Sequence, residues 1–268
     1  MRCLTGKSAA GVLLGALALC GAAHADDATD GNGSWAARAQ LGYSKTGGNT
    51  DTSSANALFH VAHTVDQWKF LFGFDGFYGA TQGTTTAQSW DAYLQANYNI
   101  GEQLYWFGKL SDLANKFSGF AYQEVVATGV GYQFLKTDNT KLAGQVGIGE
   151  RRLQTDSFTP DPVGGITPGT YVAFPTQTDT VLDAQVKFEH SFNPITKIQA
   201  GYEINSGADN TMQTGSVALQ VKMSDRLALA VGYSLVTNTK PPAGIGKSAS
   251  LETLSLVYAL KNKDLAPE

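Results

Sequence analysis

Three histidines follow residue 24: His60, His63 and His190. A histidine within hydrogen-bond reach of a serine or an aspartate can act as a general base for hydrolysis, and placement decides this before acidity does. His60 and His63 are three positions apart, an odd offset, so on an extended strand they point to opposite sides. Both lie just before a tight turn at Asp66-Gln67, and His190 abuts another at Asn193-Pro194. Side chains at that end of the strands read as interfacial histidines, not as catalysts.

A larger set of ionisable residues falls on the polar parity of alternating segments: Arg38, Asp75, Asp91, Lys109, Arg151, Asp183, Lys187, Glu189, Glu203 and Glu252. Lining a closed lumen, they could form a selectivity filter or solute pathway. The alternative is a salt-bridge network filling a narrow barrel, which the mixed signs favour. Other chemistries lack support. Both cysteines, Cys3 and Cys20, lie in the first 25 residues, so the remainder offers no disulfide and no thiolate metal site. Asp138, Asp156, Asp161 and Asp209 do not have calcium-loop spacing. No glycine-rich run stands between a strand and a helix, so no nucleotide cofactor is expected. The net charge of −4 argues against nucleic acid.

The elements that must carry these residues alternate apolar and polar with a period of two. Trp35, Ala37, Ala39, Leu41 and Tyr43 oppose Arg38, Gln40 and Ser44. Trp68, Phe70, Phe72, Phe74 and Tyr78 share one face of the next but one strand, against Lys69 and Asp75 on the other. Five aromatics on one face suit a strand with lipid on one side and a polar lumen on the other. The same reading places strands over 53–65, 89–99, 104–111, 122–134, 141–151, 178–190, 197–205, 213–223, 226–236 and 251–260. The segment 104–111 is apolar on both parities, which leaves its register open. The total is about twelve, and an even count is what single-chain bacterial barrels require.

Connections at 66–67, 99–102, 136–140, 191–195 and 224–225 are short. Those between them read as longer loops, among them a polar one over 80–88 and a 154–177 segment with four of the eight prolines. That alternation matches periplasmic turns and extracellular loops. Closure follows from backbone chemistry, because an open sheet edge in lipid leaves N–H and C=O groups unpaired at several kcal/mol each. Trp35, Tyr43, Trp68, Tyr78, Trp90, Tyr98, Tyr132, Tyr202 and Tyr233 are placed to form interfacial girdles.

The first 25 residues have a basic start (Arg2, Lys7), a short apolar run from Ala9 to Leu19 and a small-x-small site at Ala23-His24-Ala25, the pattern of a cleaved export signal. Leu17 to Cys20 looks like a lipidation box, but the bulky Leu19 before the cysteine opposes it. The expected organisation is a signal over 1–25, a polar lead-in over 26–34, a barrel over 35–260 and a tail over 261–268.

LGYSKTGGNTDTSS (41–54), with Trp35 before it, and GVGYQFLKTDNTKLAGQVGIGERR (129–152) resemble a family of uncharacterised bacterial salt-induced outer-membrane proteins. The similarity runs from about Trp35 to Leu260, and the Gly48-Asn49-Thr50-Asp51 turn is its most specific part. The resemblance implies an outer-membrane barrel and a link to salt stress, with no known substrate and no catalytic residues. The ending departs from the usual pattern, since the last strand finishes on Leu260 and not on an aromatic.

The reading is therefore an all-β, transmembrane, antiparallel up-and-down barrel in the cell outer membrane, not an enzyme, with a structural or small-solute and ion permeation role in salt or envelope stress. Its expected partners are outer-membrane lipid, the barrel-assembly machinery and small solutes or ions, and it is expected to be monomeric. The alternatives are a barrel hydrolase acting on lipid or peptide, and a soluble periplasmic barrel whose apolar parity faces a core.

Overall fold

The structure, a computed structural model, describes residues 33–46, 51–115, 120–157, 172–173, 176–241 and 246–259. The signal, most of the lead-in, the tail, the Gly48-Asn49-Thr50 turn and most of the proline-rich 154–177 segment lie outside these residues.

Among the described residues thirteen strands follow in chain order: β1 (Ser34–Thr46), β2 (Thr52–Val65), β3 (Trp68–Thr81), β4 (Thr84–Asn99), β5 (Leu104–Asn115), β6 (Phe120–Lys136), β7 (Thr140–Ser157), β8 (Val172–Ala173), β9 (Gln177–Asn193), β10 (Thr196–Gly207), β11 (Thr211–Lys222), β12 (Leu227–Asn238) and β13 (Ser248–Ala259). All pairings are antiparallel. Twelve strands close a barrel: sequence neighbours pair around it, β7 pairs with β9, and β1 pairs with β13 from Arg38↔Ala259 to Leu41↔Leu256. The two residues of β8 only extend the upper end of β7, at Ser157↔Val172. Barrel strands of 12 to 18 residues exceed the 9–11 or so that cross a bilayer at a steep tilt.

The apolar parity is outside. Leu41, Phe70, Phe72, Leu94, Val130, Ile148, Leu182, Val231 and Leu256 are all exposed, whereas Arg38, Gln40, Gln95, Lys109, Gln145, Arg151 and Asp183 are buried within. A soluble barrel would have the reverse arrangement, so the soluble alternative falls. Exposed Trp35, Trp68, Trp106, Tyr132 and Phe192 ring the short-turn end, and Tyr43, Tyr78, Trp90 and Tyr233 ring the other. The outward charges Glu124, Glu150 and Arg152 sit near the ends of β6 and β7 on the long-loop side, where the hydrocarbon has been left behind. Val231 lies mid-strand between Leu219 and Leu254 on the outer face. Val231→Arg is expected to destabilise the barrel in lipid vesicles by about 2–4 kcal/mol. The shift of the urea unfolding midpoint measures this, and an unchanged midpoint would contradict a lipid-facing Val231.

Two sequence expectations are corrected. The 80–88 stretch is not a loop: β3 and β4 run on to a two-residue turn, Gln82-Gly83, with φ of 50° and 78°. Left-handed backbone at both positions is the tight hairpin geometry whose twist matches the strands. The threonines at 84–86 read as polar loop, but they are β-branched strand formers. The long-versus-short alternation of connections therefore fails at this hairpin, and again between β10 and β11, which residues 208–210 alone connect. Second, Glu252 is not on the lumen side. It shares the parity of Leu254 and Leu256, pairs with outward Tyr233 and is exposed.

The register left open over 104–111 is set by what fits inside. Tyr105, Phe107 and Lys109 turn inward, and Trp106 and Leu110 turn out. Phe107, fully buried, lies against Gly147, where a Cβ would come within 2.9 Å of its ring. Tyr93 covers Gly73 and Tyr105 covers Gly131 in the same way, each an inward aromatic on its cross-strand glycine. These pairs protect backbone that glycine alone would leave bare.

Candidate functional site: a lumen of opposed charge layers

Inward side chains arise from strand parity, and their heights arise from register. Three layers follow from the long-loop end downward.

The upper layer is built on Arg151 of β7. Its Nε and Nη2 donate to the two oxygens of Asp179 on β9, at 3.0 and 2.7 Å, and Nη2 also donates to the Asn210 carbonyl at 2.7 Å. Asn210 Nδ2 donates to Asn238 Oδ1, and the Lys240 N–H donates to Asn210 Oδ1. The guanidinium thus ties together the upper ends of the β7–β9, β10–β11 and β12–β13 pairs. A planar fork matching both carboxylate oxygens is the geometry arginine favours.

The middle layer is acidic. Lys109 Nζ donates to Asp183 Oδ2 at 3.2 Å and to Glu203 Oε1 at 2.6 Å, reaching from β5 to β9 and β10. Gln185 and Asn205 also donate to Glu203, at 2.8 and 3.0 Å. On the other wall Asp75 and Asp91 stand directly opposite each other in register. Asp75 Oδ2 is 2.9 Å from His60 Nε2. The Asp75 side chain remains 42% exposed although it lies mid-strand, so this level of the interior has room for water.

The lower layer, toward the short turns, is basic. Arg38 donates to Gln40 and Gln199, at 2.9 and 3.0 Å. Gln199 Nε2 donates to Glu189 at 2.8 Å, and Lys197 Nζ donates to the same carboxylate at 3.1 Å. Lys141 lies 4.0 Å from it. Gln95 Nε2 donates to Asn97 and, across three strands, to Gln145.

Nine of the ten sequence-nominated residues thus face inward, and Glu252 does not. Lys109, Asp183 and Glu203 come together directly, whereas Arg38 and Glu189 meet only through Gln199. Arg151 takes as its partner Asp179, which the sequence reading misses. It also misses Lys141, Lys197 and His60, although each shares a parity with another polar residue of its strand: Lys141 with Gln145, Lys197 with Gln199, His60 with Asn56. His60 is also a correction in kind. It faces the lumen beside Asp75, whereas His63 faces out and stacks on Trp35 at 3.9 Å between ring centres. His190 faces out between Phe188 and Phe192, as an interfacial ring should. The His60–Asp75 pair is enclosed mid-barrel and not at a rim. Among the described residues no group of three or more His, Cys, Asp or Glu could hold a metal ion.

The chain resembles the KdgM porin at 10% identity, covering 84% of this chain and 99% of that one with a TM-score of 0.44. An outer membrane channel from Pseudomonas putida F1 also aligns, at 10% identity over 88% and 100% of the two chains with a TM-score of 0.46. The translocator domain of the autotransporter NalP from Neisseria meningitidis gives 10%, 85% and 89%, and 0.47. In sequence, the chain is 25% identical over 224 residues to the uncharacterized protein YdiY of Escherichia coli K12, spanning 82% of this chain and 81% of that protein. Residues 39–260, which hold eleven of the twelve barrel strands whole and most of β1, match one family throughout: the chain belongs to the family described as protein of unknown function, DUF481.

Proposed function

We propose that the protein is a monomeric outer-membrane barrel that passes small ions and solutes through a hydrated but constricted lumen. The observation that carries this reading is the polar interior, open enough at mid-height to leave Asp75 exposed yet crossed by side chains. The crossings join strands that are not neighbours: Lys109 to Asp183 and Glu203, Gln95 to Gln145, and Arg38 to Gln199. Charged and amide groups at close quarters select by sign and size, and a bore crossed at several heights admits only small species. Twelve strands lie between eight-stranded barrels filled by side chains and sixteen-stranded barrels with an open channel. The salt or envelope-stress setting enters this proposal from the resemblance alone.

Single-channel recording of the refolded protein in planar bilayers tests it, with small discrete conductance steps expected. Removing a crossing should widen the path. Lys109→Ala, and Gln95→Ala as a companion that strands no charge, should each raise the conductance by roughly twofold. A silent bilayer for all three proteins would replace permeation with a purely structural role.

A further inference from the structure

The ionisable groups of the lumen are not mixed evenly along its axis. At mid-height Asp75, Asp91, Asp183 and Glu203 surround one cation of their own level, Lys109, while Arg38 and Lys187 from the level below lie near enough to attract Asp75 and Glu203. Below them Arg38, Lys69, Lys141, Lys187 and Lys197 turn inward from β1, β3, β7, β9 and β10, and Lys222 of β11 does so at the mouth beside Asp225. Among the described strand residues of that half, Glu189 is the one inward carboxylate. It already serves Lys141 and Lys197 and, through Gln199, Arg38. The two levels carry formal charges of about −3 and +4, counting one unit for each group and the Lys222–Asp225 pair as neutral.

Arg38 makes the excess more pointed. It is only 8% exposed, the two side chains that accept its hydrogen bonds are neutral amides, and its Nε is buried without a partner. A buried guanidinium normally has a carboxylate in hydrogen-bond contact. Arg38 and Lys141 also lie close enough to Lys197 to repel it, against the larger attraction of Glu189. Such repulsion is tolerated where a mobile counter-charge enters. Lysine ammonium groups are point charges on flexible stems, suited to several oxygens at once and not to one planar fork.

We propose that the periplasmic half of the lumen is a binding site for a small multivalent oxyanion, one bearing two or more carboxylate groups or a phosphate. The anion is held by Lys141, Lys187 and Lys197 in the field of Arg38. The acidic layer above repels it, so it enters and leaves from the periplasmic side and blocks the path while bound. The inference rests on the hydrated lumen proposed above, but binding in micelles needs no conducting pore, so a silent bilayer and an empty site are separate results.

The test is calorimetric titration of the refolded full barrel, in zwitterionic micelles at low ionic strength, with citrate and separately with inorganic phosphate. Saturable 1:1 binding of either probe is expected, and the preferred probe identifies the class. Lys141→Gln with Lys197→Gln should weaken it at least about tenfold, and added salt should weaken it further. Because that variant could disturb the fold, Glu189→Gln gives the opposite sign: removing the one carboxylate should tighten binding severalfold, which a merely structural role does not produce. Absence of saturable binding to both probes would overturn the proposal. So would equal affinity in the double lysine variant, or an unchanged or weakened affinity in Glu189→Gln.

Discussion

Arg151→Met is expected to destabilise the folded barrel by about 3–5 kcal/mol, the range seen when one partner of a buried ion pair is removed. The side chain is 0% exposed, and Asp179 is nearly as well buried. Methionine fills much of the volume, so the cost is that of a carboxylate left without its counter-charge, together with the lost bond to the Asn210 carbonyl. Unfolding by urea in lipid vesicles measures it. Arg151→Met with Asp179→Asn should recover most of the loss, because replacing both charges of a buried pair is often close to neutral. A single-variant change below about 1 kcal/mol would mean that water reaches Asp179 and that the upper tether is loose.

Gly147→Val is expected to cost about 3 kcal/mol, at the upper end of what overpacking does. Gly129 and Gly147 are cross-strand partners on the inner face of the β6–β7 hairpin. A Cβ on Gly147 would overlap the Thr128 carbonyl oxygen and press on the Phe107 ring, and one on Gly129 would overlap the Val146 carbonyl oxygen. Backbone cannot step aside as a rotamer can, so closure at this hairpin would have to open. Gly215→Ala is the comparison. There the nearest atom is Cδ2 of Tyr202 at 3.8 Å, an ordinary contact, and a change within about 0.5 kcal/mol is expected. The same urea titration reads both variants, and equal costs would contradict a glycine-specific approach of β6 and β7.

Much of the wall is legible residue by residue. Trp68 to Tyr78 announce a strand through strict alternation, and structure and sequence agree on which of those side chains share a face. The misreadings have local causes. Thr84 to Thr86 are polar, and polarity reads as loop, but above the hydrocarbon both faces of a strand meet water and alternation disappears. Glu252 suggests the lumen by its charge, whereas its parity is that of Leu254 and Leu256. In 104–111 both parities are apolar because Tyr105 and Phe107 cover glycines on β6 and β7, a demand set by neighbouring strands and invisible within the segment.

Alternation, strand number and the two kinds of end were determined by the chain itself, since each is a property of residues two apart or of a turn. Which parity faces outward was not, because the same pattern serves a barrel in lipid and a barrel around an apolar core. Only the direction of curvature at closure separates the two, and it turned Phe70 out and Gln95 in. The charge partners were likewise settled by tertiary structure. Lys109 meets Asp183 and Glu203 from 74 and 94 residues away because strand stagger brings them to one height, and stagger is a property of the closed sheet as a whole.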